Sequence, residues 1–367
     1  MAQALAYKDI KYGIAEINSG VIGAGTARAG DGTQFGDTSL ASTASTQIPV
    51  DGNIDFSKNI QERRPNRANG YRMPYYNDAI NDNRGYPTTF TWNSAVTQFT
   101  IDVLCAGIFQ RCTEGGVSPY VKSFQWPVVG AAWALTGAMY GYPEFATDEG
   151  YFFGFVKDSP VAVTSEAALS CVPNRLLLTC SSDANDGLLY QSSDWTGRLK
   201  ADYVALTDPT GYTITTTSYY HFQDMTVKAA ASEMVCYGIQ LEITNGLKQI
   251  PAGGESCSEI AFPVHNVRGY IDVLWDAVAR TAFTSAESGS TSEIVLFEIY
   301  WGSGGGSDPV TTTGDLQFKF TGKVNEMPDQ GSDERIARIS FQGVKSASYE
   351  DMKVQVANDL DRGWQSA

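Results

Sequence analysis

One short motif occurs twice in this chain, at a spacing of about half its length. Residues 84–92 read Arg-Gly-Tyr-Pro-Thr-Thr-Phe-Thr-Trp, and residues 268–275 read Arg-Gly-Tyr-Ile-Asp-Val-Leu-Trp. The copies are offset by 184 positions in a chain of 367 residues. Each copy follows a long polar stretch and leads into an apolar, β-prone run that ends in tryptophan. The spacing predicts a duplicated and fused β module, which indicates assembly rather than catalysis.

The composition fits a packed β protein and argues against tight nucleic-acid binding. Hydrophobic residues make up 43% of the chain, enough for packed cores, and charged residues only 18%. With 41 acids against 26 bases, the net charge is −15. A tight nucleic-acid binder needs clustered Lys and Arg. Extracellular and viral β proteins share this neutral, turn-rich composition.

The cysteines and apolar runs bear on where the chain works. Six cysteines are present without any C-x-x-C pair, and several lie in apolar runs. We expect buried, reduced thiols that act as small hydrophobic side chains. The amino terminus carries no apolar signal region, and no run approaches 18 apolar residues. The pattern predicts synthesis in the cytoplasm and no membrane segment.

Composition along the chain predicts three regions. Residues 1–45 are rich in Gly, Ala, Ser and Thr, which is typical either of a mobile tail or of an arm that orders against a neighbouring subunit. Residues 46–220 are predicted as the first module and residues 221–367 as the second.

Each module is predicted to be mainly antiparallel β with one helix. The apolar spacing predicts helices over residues 96–110, capped by Asn93 or Ser94, and over 276–286. The expected fold is two tandem β-sandwich or half-barrel modules with long loops. Strands are predicted near Ile48–Phe56 and over 87–92, 117–126, 151–156, 176–179, 188–191, 237–243, 271–275, 293–301, 316–323 and 335–342, with 353–358 as a final edge strand and a turn at 195–197. Such modules expose edge strands that a neighbour can complete.

Catalytic chemistry has little support in this sequence. His221 and His265 are the only histidines, and both are predicted to be structural. The glycines at 20, 23 and 25 lack the preceding strand and following helix of a phosphate-binding turn. The chain is predicted to be no enzyme, with no cofactor and no metal.

Ten residues are candidates for assembly contacts. Four arginines in the long polar loop 59–83 fit ion pairing with an acidic neighbouring subunit, although a plain solvated loop is the alternative. The counterpart loop is 245–266. The full set of candidates is Arg63, Arg64, Arg67, Arg72, Arg84, Tyr86, Trp92, Arg268, Tyr270 and Trp275.

The repeated strand, long loop, strand and helix resemble the tail tube (major tail) proteins of long-tailed bacteriophages. Residues 171–178, Cys-Val-Pro-Asn-Arg-Leu-Leu-Leu, followed by Gly187–Tyr190 and Trp195–Gly197, are similar to the strand–turn–strand pattern of that family. Val267–Ile271 is similar to its entry into the outer sheet. The resemblance covers about residues 46–358.

The resemblance implies a structural virion protein. Tube modules of that family pair edge to edge, and rings stack into a conduit for DNA ejection. Two modules per chain imply trimeric, pseudo-hexameric rings, with a hexamer as the alternative. The implied partners are further copies, the tape measure protein, the tail terminator and the distal tail proteins. DNA would transit the lumen without specific binding, and the location would be the virion tail.

Two other classes stay open at this stage. A capsid or decoration protein shares the composition. A carbohydrate-binding β-sandwich would use aromatic residues such as Trp126, Trp133 and Tyr142 as a sugar platform. For a tube, we also expect some of the surplus acids to line the bore, so that DNA slides instead of binding.

Overall fold

A computed structural model of the chain confirms the mainly β class. It describes residues 10–16, 46–58, 62–63, 80–81, 88–109, 112–115, 118–125, 153–159, 165–197, 199–202, 219–250, 259–261, 265–287, 294–302, 310–326, 335–344 and 352–360.

The first half of the chain contributes twelve described strands and one helix. The helix is α1, Gln98–Phe109. The strands are β1 Lys11–Glu16, β2 Thr46–Gln47, β3 Ser57–Lys58, β4 Glu62–Arg63, β5 Ile80–Asn81, β6 Thr88–Ala95, β7 Cys112–Gly115, β8 Tyr120–Gln125, β9 Phe153–Asp158, β10 Glu166–Ser181, β11 Tyr190–Gly197 and β12 Leu199–Asp202.

The second half contributes ten described strands and again one helix. The helix is α2, Ala277–Glu287. The strands are β13 Met225–Ala229, β14 Ser232–Met234, β15 Cys236–Thr244, β16 Lys248–Ile250, β17 Glu259–Ala261, β18 Asn266–Leu274, β19 Ile294–Trp301, β20 Leu316–Glu326, β21 Ile336–Gly343 and β22 Met352–Asn358.

Strand pairing in the two halves follows the same plan. β1 pairs with β2 and β9, as β13 pairs with β14 and β19. The order β9-β10-β11-β6-β3 recurs as β19-β20-β21-β18-β15. β12 and β22 pair with the amino-terminal part of β10 and β20. The small hairpins β4–β5 and β16–β17 precede β6 and β18, and the helices follow these strands. Each half of the chain thus contains one helix and a like order of strands.

The register of the repeat differs from the one that the Arg-Gly-Tyr motif predicts. Thr97 caps α1 and Asp276 caps α2, since their side-chain oxygens accept hydrogen bonds from the N–H groups of Thr100 and Ala279 at 3.1 and 2.9 Å. These caps are 179 positions apart. An offset of 184 would instead match buried Trp92 with Asp276, the residue that caps α2. Because 184 and 179 differ by an odd number, an alignment at 184 would also exchange the buried and exposed faces of the strand. The first Arg-Gly-Tyr lies outside the described residues.

The helix cap was predicted too early in the chain. Asn93 and Ser94 both lie within β6, which continues to Ala95. Alternation of exposed threonines with buried Phe90 and Trp92 extends the strand up to the cap.

Three other predicted elements need correction. Residues 11–16, assigned to the arm, form β1 inside the chain's own sheet, with Tyr12 and Ile14 buried. Residues 353–358 do not form an edge strand, because β22 pairs with β20 on one side and with β8 on the other. Trp195–Gly197 is the end of β11 and not a turn. The rest of residues 1–45, apart from Ile10, lies outside the described part.

The large sheet is antiparallel and barrel-like, and it encloses one continuous core. In the first module, Phe155 lies 4.7 Å from Trp195 and 5.8 Å from Trp92, between ring centroids. In the second, Phe297 lies 4.8 Å from Phe341. Core and sheet both cross the predicted boundary at residue 220, so the two modules share one interior in the described regions.

Among the described strands, two pairings join the modules. β10 pairs with β15 over Arg175–Ser181, and β8 pairs with β22. α1 packs closely on β10, because a Cβ on Gly107 would lie 2.7 Å from the Cδ of Pro173. Among the described residues, no helix is long and apolar enough to cross a membrane.

Candidate assembly surface

A polar face extends across both modules. It consists of the outward side chains of β6, β11, the carboxyl-terminal part of β10, β15, β18 and β21, which are consecutive neighbours in the sheet. The other side of these strands is buried, as Ile239, Leu241 and Ile243 show on β15. Strand alternation therefore separates this polar face from the core.

The central part of the polar face is a chain of ion pairs that crosses the joint between the modules. Arg175 donates from Nε to Glu242 Oε1 at 3.1 Å and from Nη1 to Asp194 Oδ2 at 3.3 Å. Thr91 Oγ1 donates to Asp194 Oδ1 at 2.7 Å. Arg268 clamps Glu242 with two bonds, Nε to Oε2 at 3.1 Å and Nη2 to Oε1 at 3.0 Å. Glu242 thus takes one arginine from each module.

A second ion pair lies beside the first on the same face. Arg338 donates from Nε and Nη2 to the two oxygens of Asp272, both at 2.8 Å. Its guanidinium also lies 3.8 Å from the ring centroid of Tyr270. The carboxylate and the ring hold this arginine in a planar arrangement that lysine could not reproduce.

The electrostatics follow from these contacts. The hydrogen bond from Arg268 is the main cause that lowers the pKa of Glu242, and Arg175 adds to it. The same bond raises the pKa of Arg268, and the bond to Asp272 raises that of Arg338. Glu242, Arg268 and Arg338 are therefore charged at neutral pH.

The structure brings two of the ten predicted interface residues onto the polar face, Arg268 and Tyr270. Trp92 and Trp275 are 0% and 5% exposed, so they belong to the chain's own core and we remove them from the surface candidates. Arg63 lies in β4, where its side chain is not described. The remaining candidates, outside the described residues, are Arg64, Arg67, Arg72, Arg84 and Tyr86.

Sequence reasoning missed most of the charged members of the face. Arg175 and Glu242 are 67 positions apart, and Asp272 and Arg338 are 66 apart. No local spacing indicates such pairs. The signal that could have found them is strand register, which needs the pairing order of the whole sheet.

A second cluster, fully buried, also links the modules. Lys122 Nζ on β8 lies 3.0 Å from Asp102 Oδ2 on α1 and donates to Asn358 Oδ1 on β22 at 2.6 Å. Asn358 Nδ2 donates to both oxygens of Asp102 at 3.1 Å. Lys122 also donates to the carbonyl of Leu360 at 2.6 Å. This network satisfies its members and ties the last strand of the second module to the first.

Both histidines make contacts within the fold. His265 Nδ1 lies 3.2 Å from Asn245 Oδ1, and Asn245 Nδ2 donates to the carbonyls of Ile108 and Pro173. Burial lowers the pKa of His265 to about 4. His221 forms an isolated bridge with Leu188.

The described part of the chain contains no cluster of three or more His, Cys, Asp or Glu side chains that could hold a metal ion. An open groove of 530 Å³ lies at the first-module end of the polar face, lined by side chains such as Asn53, Asp55 and Asn93. Asp55 and Asp194 are the acids among its described lining residues, which include no histidine or cysteine.

Comparisons with known proteins do not assign a family. No protein-family model matches the chain, and no curated protein matches it.

Proposed function

We propose that the chain is a structural protein that polymerises into stacked rings, forming a bacteriophage tail tube through which DNA passes. The observation that carries the proposal is the β10–β15 joint, where the edge of one module pairs with the edge of a module of the same plan. Seven residue pairs, from Arg175–Thr244 to Ser181–Gly238, form this joint. In this proposal the same contact is repeated between chains and builds a ring.

The ends of the sheet support repetition of this joint between chains. Corresponding irregularities mark β10 between Pro173 and Arg175 and β20 between Val324 and Glu326, so Glu326 is the counterpart of Arg175. Beyond Lys323, β20 pairs only with β21 among the described strands. At the other end of the sheet, the two-residue β3 pairs with the eight-residue β6. Its counterpart in the second module is the nine-residue β15, which pairs with β18, so β6 is covered over a shorter length than β18 is.

One end of the sheet offers β20 beyond Lys323 and the other offers β6, so the two ends could pair between chains. This arrangement favours head-to-tail assembly. A heterologous contact that closes gives a ring, and a different heterologous contact along the axis gives a filament. Exposed strand edges are a liability for a monomer and a resource for a polymer. Three chains would supply six modules per ring. The proposed partners are therefore copies of this chain first, and the tape measure, terminator and distal tail proteins at the ends of the tube.

Electron microscopy of the concentrated, purified chain tests this function. We expect rings or tubes with a central bore, and class averages with six similar modules around the axis. Closed shells would indicate a capsid or decoration protein. Dispersed monomers at high concentration would contradict the proposal, provided that their circular dichroism spectrum is that of a folded protein. Sedimentation with and without oligosaccharides addresses the carbohydrate-binding alternative.

A further inference from the structure

Each arginine of the polar face is held by a carboxylate. Within its six strands the described charged residues are three arginines and three acids, namely Arg175, Arg268, Arg338, Asp194, Glu242 and Asp272. The face is neutral although the chain carries a net charge of −15. It therefore differs from the acidic bore that the surplus of acids predicts for a tube.

The geometry of these pairs restricts what the arginines can bind. A guanidinium recognises a phosphate through the same forked donors that recognise a carboxylate. Arg338 uses Nε and Nη2 on Asp272, and Arg268 uses Nε and Nη2 on Glu242. Arg338 and Arg268 keep 57% and 61% of their side-chain surface exposed. Polyanions can thus reach these side chains, but one forked edge of each is occupied.

We propose that the carboxylates of Glu242 and Asp272 mask the arginines of the polar face, so that double-stranded DNA can pass over this face without being retained. The inference rests on the proposed function for its biological meaning, because a conduit must not hold its cargo. Its chemistry is independent of assembly. The arginines supply rigid contacts across the module joint, and the acids remove the phosphate affinity that unpaired arginines would add.

The test is binding of a fluorescent 30-base-pair DNA duplex, measured by anisotropy at low and rising salt concentration. The purified chain is compared with Glu242→Gln, Asp272→Asn and the double variant. These substitutions keep the shape and hydrogen-bonding capacity of the side chains but remove their charge. Glu298→Gln is the matched control. It removes one negative charge, as each single variant does, and takes from Lys319 on β20 the carboxylate of Glu298 on β19, which lies 2.9 Å away and outside the six strands.

We expect that neither the unaltered chain nor the Glu298→Gln control binds the DNA duplex. Each single variant should bind DNA more tightly than the equally charged control, and the double variant at least about tenfold more tightly, with a log–log salt slope steeper by roughly one unit for each arginine that gains a phosphate. Equal binding by the double variant and the control would overturn the proposal, as would tight binding by the unaltered chain. Because the assay uses unassembled chain, its failure is distinguishable from a failure to form tubes.

Discussion

Lys122 Nζ lies 3.0 Å from Asp102 Oδ2, and both side chains are completely buried. The pair connects β8 to α1, and Asn358 on β22 binds both of its members. β7 and β8 lie between α1 and β9, whereas only residues 288–293 separate α2 from β19. The cluster is therefore a connection that the first module makes to the second and that symmetry does not repeat.

Asp102→Asn should destabilise the fold by about 3 kcal/mol or more, because it removes the nearer carboxylate of a buried ammonium and leaves only Glu114, at 3.8 Å from Lys122 Nζ, as a counter-charge. Chemical denaturation followed by tryptophan fluorescence measures the loss. Asp272→Asn is the control, because it breaks an ion pair whose arginine is 57% exposed and should cost at most about 1 kcal/mol. Equal losses in the two variants would show that the buried pair has no special weight.

Gly269, the centre of the second Arg-Gly-Tyr, is required by packing. A Cβ at this position would lie 2.0 Å from the carbonyl oxygen of Gln240 and 3.0 Å from the ring of Phe341. Gly269→Ala should cost several kcal/mol, since the backbone of β15 or β18 must shift. Gly115→Ala is a matched control on strand β7, where a Cβ would meet nothing within 4 Å. Thermal unfolding of both variants checks this; a Gly269→Ala midpoint as high as that of the control would refute the steric account.

Long strands with strong alternation were predictable from the sequence. β15, β19, β20 and β21 lie within a few residues of their predicted bounds, as do α1 and α2, because apolar periodicity reports which face is buried. A like pairing order also recurs in the two halves, as a duplication predicts. Its register was wrong, because a three-residue match carries no information about the face of a strand.

The missed elements are those whose stability comes from distant residues. β1 lies in a glycine-rich region and gains its order from pairing with β9 more than a hundred residues later. β22 reads as a terminal edge strand until β8 is placed beside it. The charged face depends on six strand registers at once, and single-sequence reasoning does not supply them.

The described cysteines should be unreactive in the folded protein. Cys105, Cys112, Cys171 and Cys180 are buried, and Cys236 is half-buried. Burial raises the pKa of Cys180 and of Cys236 to about 12, so almost no thiolate is present at pH 8.

The measurement is titration with a thiol-reactive disulfide reagent at pH 8. It uses a Cys257→Ser variant, because Cys257 lies outside the described residues. We expect five reactive thiols in denaturant and fewer than one within minutes in native buffer. A fast native phase of two or more thiols would mean that these strands open readily.

Stability should fall as the pH drops from about 6.5 to about 4, because of His265. Burial lowers the pKa of this imidazole to about 4, whereas its pKa in the unfolded chain is about 6.5. Between these values the unfolded state binds a proton that the folded state does not, so the contribution is complete above pH 6.5 and declines below it. With a pKa of about 6.5 in the unfolded chain and about 4 in the folded one, the loss amounts to at most about 3–4 kcal/mol.

His265→Gln should flatten this part of the stability profile, since glutamine does not titrate and can still reach Asn245. Denaturation midpoints at pH 7, 6, 5 and 4.5 for both proteins give the difference. Glu242, whose pKa is lowered by Arg268, loses its contribution only as the pH falls below about 4.5, so the two groups act in separate windows. If the unaltered chain and His265→Gln lose stability in parallel between pH 6.5 and 5, the imidazole is accessible to protons in the folded state and the buried contact with Asn245 does not hold it neutral.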